Sequence, residues 1–436
     1  MSKDMIFINC IVVFIIAYVL LCMATRFRDT KFSLLNLFRH RRRTFSTLSA
    51  IILGGVAIFL YGGFINYSFW ILKEQTIRTN IGHVQIYNNG YFDTANKNKT
   101  LINNYSELKR GILTDANLAK DISTISGQLE FAGIISHYEN ETSTYFSAQG
   151  VEPLPALKLG AFDKIVSGSD LSRVKHDEIT IGSGLARTLN AQYADWLDVM
   201  VVNTAGGQGA LSLKVRGVFE SGIKDYDDTA IKVPLATAQR IMETDGVSRI
   251  LILLNNDDVE AFMVKLKDYI AKNNLPLIVK DWKEMSLFYQ QVEGMLSGIY
   301  FFIKLIVALI VVFMIGNSMT MSITERTREI TTLRAIGLKS WHVTQLFWLE
   351  GIFIGITGAL GSLIVGYALA AMINLYGIAM PPSPGQSIGY TAFIETNNVE
   401  LVWITLVLPI LTASLASILP AFRAARLNIT DAFKFS

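Results

Sequence analysis

The chain has 436 residues, 51% of them hydrophobic and 17% charged, with a mean hydropathy of +0.37 and a formal net charge of +3. That is too apolar for an ordinary soluble protein and too charged for a chain made only of helices in lipid, so part of it lies outside a membrane. The small net charge gives no reason to expect nucleic acid as a partner. The two cysteines, Cys10 and Cys22, share the first apolar run and leave no disulfide framework or thiolate site for the polar region, and the five histidines have no ligand-like spacing.

Met5 to Met23 is an apolar run of about nineteen residues, long enough to span a bilayer at about 1.5 Å per residue. Residues 1–25 are therefore expected to form an extra N-terminal transmembrane helix. A cleaved signal peptide is the alternative, but Lys3 beside Asp4 makes a weak n-region and Cys22-Met23-Ala24 a poor cleavage site. Seven Lys or Arg residues follow between Arg26 and Arg43, which places that end in the cytoplasm. Residues 26–44 read as a cytoplasmic amphipathic helix, with Leu34, Leu35, Leu37 and Phe38 at the interface and the arginines on lipid phosphates. A transmembrane helix follows over 45–72, where Gly54, Gly55, Gly62 and Gly63 leave flat patches for a neighbouring helix.

Residues 73–297 contain no long apolar run; short strand-like pieces alternate with turns and helical stretches, the signature of an α/β domain large enough to bury its own core. Strands are expected at Gly82 to Tyr87, Glu178 to Gly182, Asp198 to Val202, Leu213 to Phe219 and Ile250 to Leu254. Helices are expected at Ser106 to Ile125, Leu235 to Met242 and Val259 to Lys272. The preceding helix starts in the cytoplasm, so this domain is extracytoplasmic. Asp225, Asp227 and Asp228 lack the glycine and distal glutamate of a calcium loop and read as a solvated loop, and Trp282 reads as an interfacial residue.

A transmembrane helix over 298–321 carries one charge, Lys304, about a turn from its outer end, where it can snorkel. Residues 322–340 then interrupt the apolar pattern with Thr324-Glu325-Arg326-Thr327-Arg328-Glu329-Ile330-Thr331-Thr332-Leu333-Arg334-Ala335-Ile336-Gly337. Thr324 is a plausible N-cap, Glu325 and Glu329 place negative charge early, Arg334 and Lys339 place positive charge late, and Gly337 supplies a stop. Arg326 can reach Glu329 at i,i+3, while Ile330, Leu333 and Ile336 read as an apolar stripe. The next transmembrane helix, 341–376, contains Glu350, a carboxylate that must lie near the cytoplasmic boundary or pair with a cation, and small residues at Gly351 and Gly355 that suit helix packing or gating together with Gly54 and Gly55. The loop 377–398 has no Lys or Arg and is expected outside; its Met380, Pro381 and Pro382 are candidates to face a substrate. A last transmembrane helix, 399–419, leads to a cytoplasmic tail, 420–436.

The TERTREI..LRAIG segment between two membrane helices, and the Pro420-Ala421 to Ala432-Phe433 tail, resemble the FtsX-like permeases, which include the membrane subunits of macrolide-exporter and lipoprotein-releasing ABC systems. Gly82-His83-Val84-Gln85-Ile86, Ile181 to Ala186 and Gly217 to Gly222 resemble segments recurring in the lipoprotein-releasing members. The resemblance implies an α-helical membrane protein with four core transmembrane helices, to which this sequence adds an N-terminal one, and a large extracytoplasmic α/β domain. It implies that Glu325, Arg326, Arg328, Glu329, Ile330, Leu333, Arg334, Ile336 and Gly337 form a coupling helix that receives the motion of an ABC ATPase.

No P-loop, HExxH or G-x-S-x-G element occurs, so the chain is expected to be a non-catalytic subunit with no cofactor of its own, ATP and Mg being handled by the partner. The resemblance further implies two ATPase copies, a second permease that is identical or paralogous, membrane lipids around the helices, and a bacterial inner-membrane location. Three readings stand: extraction of lipoprotein cargo for delivery to a periplasmic carrier; macrolide or peptide export through a tripartite assembly; and force transmission to a cell-wall hydrolase. The third is ranked last because such regulators have smaller outer domains.

Overall fold

The structure is a computed structural model, and it describes residues 41–94, 100–159, 163–172, 177–256, 258–381 and 389–426. The expected N-terminal helix and most of the amphipathic segment lie outside the described residues. The chain divides into a helical unit (Met1–Phe69, Glu293–Ile378, Thr391–Ser436) and an α/β unit (Trp70–Val292, Ala379–Tyr390).

Among the described residues, five helices belong to the helical part: α1 (Arg41–Thr76), α2 (Leu287–Glu325), α3 (Thr327–Ala335), α4 (Ser340–Tyr376) and α5 (Val399–Ala425). Among the described residues four helices, all but α3, are long and apolar enough to cross a membrane. Several boundaries differ from the sequence reading: α1 ends at Thr76 and not 72, α2 at Glu325 and not 321, and α5 at Ala425 and not 419. Arg41 to Thr44 already belong to α1, and α2 begins at Leu287, not near 298, because Ser286 caps its first turn by accepting from the backbone N–H of Tyr289 at 3.2 Å. The core of this unit gathers Ile51 and Ile58 of α1, Val311, Ile315 and Met319 of α2, Ile352 and Phe353 of α4, and Ala413 and Ala421 of α5. Backbone that leaves the helices finds partners: Asn374 and Ile394 exchange two hydrogen bonds, of 2.9 and 2.7 Å, and Glu395 N–H donates to the carbonyl of Gly63 at 3.1 Å.

The α/β unit is built on ten strands: β1 (Val84–Asn88), β2 (Ile122–His137), β3 (Thr142–Val151), β4 (Lys164–Gly168), β5 (Glu178–Gly182), β6 (Trp196–Val202), β7 (Gln208–Glu220), β8 (Ala230–Pro234), β9 (Arg249–Leu254) and β10 (Leu277–Asp281). Their order runs β10-β1-β9-β2-β3-β8-β5-β7-β4, and β6 pairs with both β2 and β7. Those pairings close β2-β3-β8-β5-β7-β6 into a ring, leaving β10-β1-β9 as a flap and β4 as an edge. Gly133 sits at the closure: a Cβ there would run into the carbonyl oxygen of Met200, so only glycine lets β2 and β6 pair at this register. The enclosed core includes Leu129, Ile135, Ile179, Ile181, Leu197, Val199, Leu213 and Val233.

Three expectations are corrected here. Residues 106–125 do not form one helix: helices span Tyr105–Thr114 and Ala116–Ala119, and β2 starts at Ile122. Asp115 causes the break, being extended and accepting from the N–H of Asn117 at 2.9 Å. Trp282 is not interfacial decoration but a core residue, 8% exposed, packed with Ile77, Leu159, Leu251, Leu253 and Tyr289. Asp227 is not solvated either: it is 2% exposed, and its Oδ1 accepts from Ser221 N–H at 2.9 Å and Ser221 Oγ at 2.7 Å.

Burial pushes the Asp227 carboxyl above the usual carboxylate range, outweighing the two Ser221 hydrogen bonds that favour the ionised form. A folded pKa above the unfolded one means the native state holds the proton more tightly. The associated stabilisation is complete below about pH 4 and is lost as pH rises through the raised value. Asp227→Asn keeps an acceptor for Ser221 but cannot ionise. Hydrogen exchange of peptides spanning β5 and β8 in the full chain, corrected for intrinsic rates, should lose protection with rising pH in the wild type and show a flatter dependence in Asp227→Asn.

Candidate functional site

The segment singled out by sequence is a break in a nearly continuous helix. α2 ends at Glu325, Arg326 leaves helical geometry at φ −107° and ψ 13°, and α3 begins at Thr327. Thr324 does not cap α3; it sits in the last turn of α2, where its hydroxyl donates to the carbonyl of Met321 at 2.9 Å. Thr327 continues the same pattern across the break, donating to the carbonyl of Ile323 at 2.9 Å. At the other end Gly337, at φ +102°, donates to the carbonyl of Arg334 at 3.0 Å, a backbone conformation that favours glycine and that ends the helix.

Charges knit this break to its neighbours. Arg326 is 8% exposed and Glu350 of α4 is 5% exposed, and their charged atoms stand 3.6 Å apart. Arg326 also meets Glu329 at 3.3 Å and lies over the ring of Phe347 at 5.6 Å. On the other side of the break Glu325 accepts from Arg43 of α1 at 2.8 Å. Sequence reasoning missed Arg43 and Phe347, for neither carries a local signal of pairing with residues hundreds or tens of positions away.

The apolar stripe assigned to α3 is not one face. Ile330 is 4% exposed and belongs to the core of the helical unit, whereas Ile336 is 81% exposed. Six residues at about 100° each carry a side chain to another side of the helix, which is why Ile330 and Ile336 part company. The outward face is instead Arg328, Thr332, Ala335 and Ile336, the i, i+4, i+7, i+8 pattern that was available in the sequence. Arg334 is half-buried.

The glycines mark helix contacts. A Cβ on Gly54 would stand 2.7 Å from Val307 of α2, and one on Gly55 would collide with the Ser362 side chain of α4. A Cβ on Gly351 would collide with Ser417 of α5, and one on Gly355 would stand 2.7 Å from Ala413 of the same helix. The hydroxyl of Ser362 donates to the carbonyl of Gly358 at 2.8 Å, and Trp348 Nε1 donates to Ser414 of α5 at 3.1 Å. Of the expected substrate-facing residues, Met380 ends a short strand, Ile378–Met380, Pro381 is exposed, and Pro382 lies outside the described residues. Among the described residues no cluster of His, Cys, Asp and Glu could hold a metal ion.

Among the described residues, membrane-length helices flank an α/β domain in the sequence, and a short charged helix joins the second to the third. Residues 44–269 match the family model of the MacB-like periplasmic core domain, and residues 301–429 match that of the FtsX-like permease C-terminal region. The chain belongs to the FtsX-like, MacB-type family of ABC transporter permeases. It is similar to the lipoprotein-releasing system transmembrane protein LolC of Xylella fastidiosa, 25% identical over 319 residues that cover 70% of this chain and 72% of the relative. LolC of Neisseria meningitidis is 22% identical over 412 residues, covering 90% of this chain and 94% of the relative. The macrolide export ATP-binding/permease protein MacB of Bradyrhizobium diazoefficiens is 22% identical over 395 residues, covering 85% of this chain and 56% of the relative.

Proposed function

We propose that this chain is the permease subunit of a bacterial inner-membrane ABC transporter that releases lipoproteins, driven by a separate ATPase that docks on α3. The observation that carries the coupling role is the division of α3 into a buried side, Arg326 and Ile330, and an outward side, Arg328, Thr332, Ala335 and Ile336. The first side fastens the helix to the membrane bundle, and the second exposes Arg328 at one end and the apolar Ala335 and Ile336 at the other, a surface suited to a cleft on a partner. In this reading α3 is cytoplasmic, the α/β domain is periplasmic, and two permeases, identical or paralogous, work with two ATPases that bind ATP and Mg. The length over which the LolC relatives match supports lipoprotein cargo. The match to MacB supports a second reading, export of a macrolide or peptide.

Ile336→Asp puts a charge at the apolar end of the outward face, and Arg328→Glu reverses the charge at its other end. Each should lower retention of the partner ATPase at least tenfold on co-purification, about 1.4 kcal/mol, without changing insertion. Proteoliposomes carrying the complex should release a lipoprotein on ATP addition in the wild type and not in the variants. Wild-type retention and release in both variants would remove α3 from the docking surface, and ATP-driven macrolide movement without lipoprotein release would select the second reading.

A further inference from the structure

We propose that Arg326 and Glu350 are positioning residues that transmit the motion of α3 to the membrane helices, an inference that rests on α3 being the point where the ATPase acts. A helix broken at a single residue is a poor lever, because a push on its short arm is absorbed by bending at the break. Here the break is clamped from two directions. Arg326, the residue at the break itself, is held by Glu350 and Phe347 of α4, while Glu325, the residue before it, is held by Arg43 of α1. Two charge groups of alternating sign therefore flank the break, Glu329–Arg326–Glu350 on one side and Glu325–Arg43 on the other.

Stability does not explain this arrangement well. Two charges taken out of water recover their desolvation only with good geometry, and a well-packed apolar pair of similar size does at least as well in most folds. At 3.6 Å the Arg326 to Glu350 contact is an ion pair without the short distance of a strong hydrogen bond. What a buried pair supplies and an apolar pair does not is a fixed choice of partner. Glu350 also sits next to Gly351, where α4 meets α5 at Ser417, so displacement of Glu350 is passed along a contact with no slack.

The variants that separate positioning from mere packing are Glu350→Gln, which keeps size and removes charge, Arg326→Glu, which makes the pair repulsive, and the exchange Arg326→Glu with Glu350→Arg. They are measured in the full complex with its ATPase in proteoliposomes. Glu350→Gln should keep the ATPase bound and hydrolysing ATP within about twofold of wild type, while cargo release per ATP falls at least tenfold in Glu350→Gln and in Arg326→Glu. The exchange should restore release to within about threefold.

A second readout needs no ATPase. In the permease alone, Glu350→Gln should raise hydrogen exchange in the 327–335 peptide and leave the α/β unit unchanged. If Glu350→Gln keeps both wild-type exchange in that peptide and wild-type release, the positioning role is overturned. If the exchange rises but no ATPase binds the wild type, the clamp stands as a structural element and the docking reading fails.

Discussion

Gly55→Val should abolish transport while leaving the chain in the membrane. Its side chain would enter the space held by Ser362, whose own hydroxyl is committed to the carbonyl of Gly358, and α1 and α4 would have to separate. Overpacking of this kind costs about 1–3 kcal/mol, and in a bundle held by close contact of small residues it is paid at the interface itself. The clean form of the test is a pair. Gly55→Ala alone brings a Cβ into collision with Ser362, whereas Gly55→Ala with Ser362→Gly exchanges one Cβ for another at the same contact. Thermal stability in detergent should fall by several degrees in the single variant and return in the double. Equal stability of both would mean that α1 and α4 do not meet there. Gly351 and Ser417 offer the same exchange between α4 and α5, and should behave alike.

In the α/β unit the largest effect is expected from Gly133→Val. The obstacle there is a backbone oxygen, that of Met200, which cannot rotate away as a side chain can. Relief requires β2 and β6 to move apart and give up the pairs from Gly133 with Val201 to Ser136 with Asp198. That ladder closes the ring of strands, so its loss opens the core at Ile135, Leu197 and Val199 together. A destabilisation of roughly 3 kcal/mol or more is expected, since steric strain and lost ladder bonds add. Hydrogen exchange in the full chain should show β2 and β6 losing protection while α4 and α5 keep theirs. Unchanged protection in β2 would mean the ring is not closed through β6.

The membrane-length helices were legible because lipid imposes a rule on composition: long apolar runs and flanking charge are written residue by residue. Local α/β elements with strong patterns were equally plain; Glu178–Gly182, Leu235–Met242 and Val259–Lys272 fall where the sequence placed them. The two longest-paired strands, β2 and β3, were not. Ile122 to His137 mixes Ser, Thr and Gly with apolar residues without steady alternation, because the strand contacts β9 along one part and β6 along another. Its neighbours, not its own residues, decide which side is buried.

The same division holds at the site. Residue order alone gave the charged insert, its glycine stop and the expectation that Glu350 lies near the cytoplasmic boundary or pairs with a cation, since each follows from the cost of charge or of positive φ in a single segment. Which cation serves Glu350, why Ile330 turns inward while Ile336 faces out, and that Asp227 and Trp282 are buried were decided only by packing. Those outcomes depend on contacts between segments tens or hundreds of residues apart. Separation along the chain carries no information about the angle at which two helices meet, and that angle determines which face of α3 the membrane bundle takes.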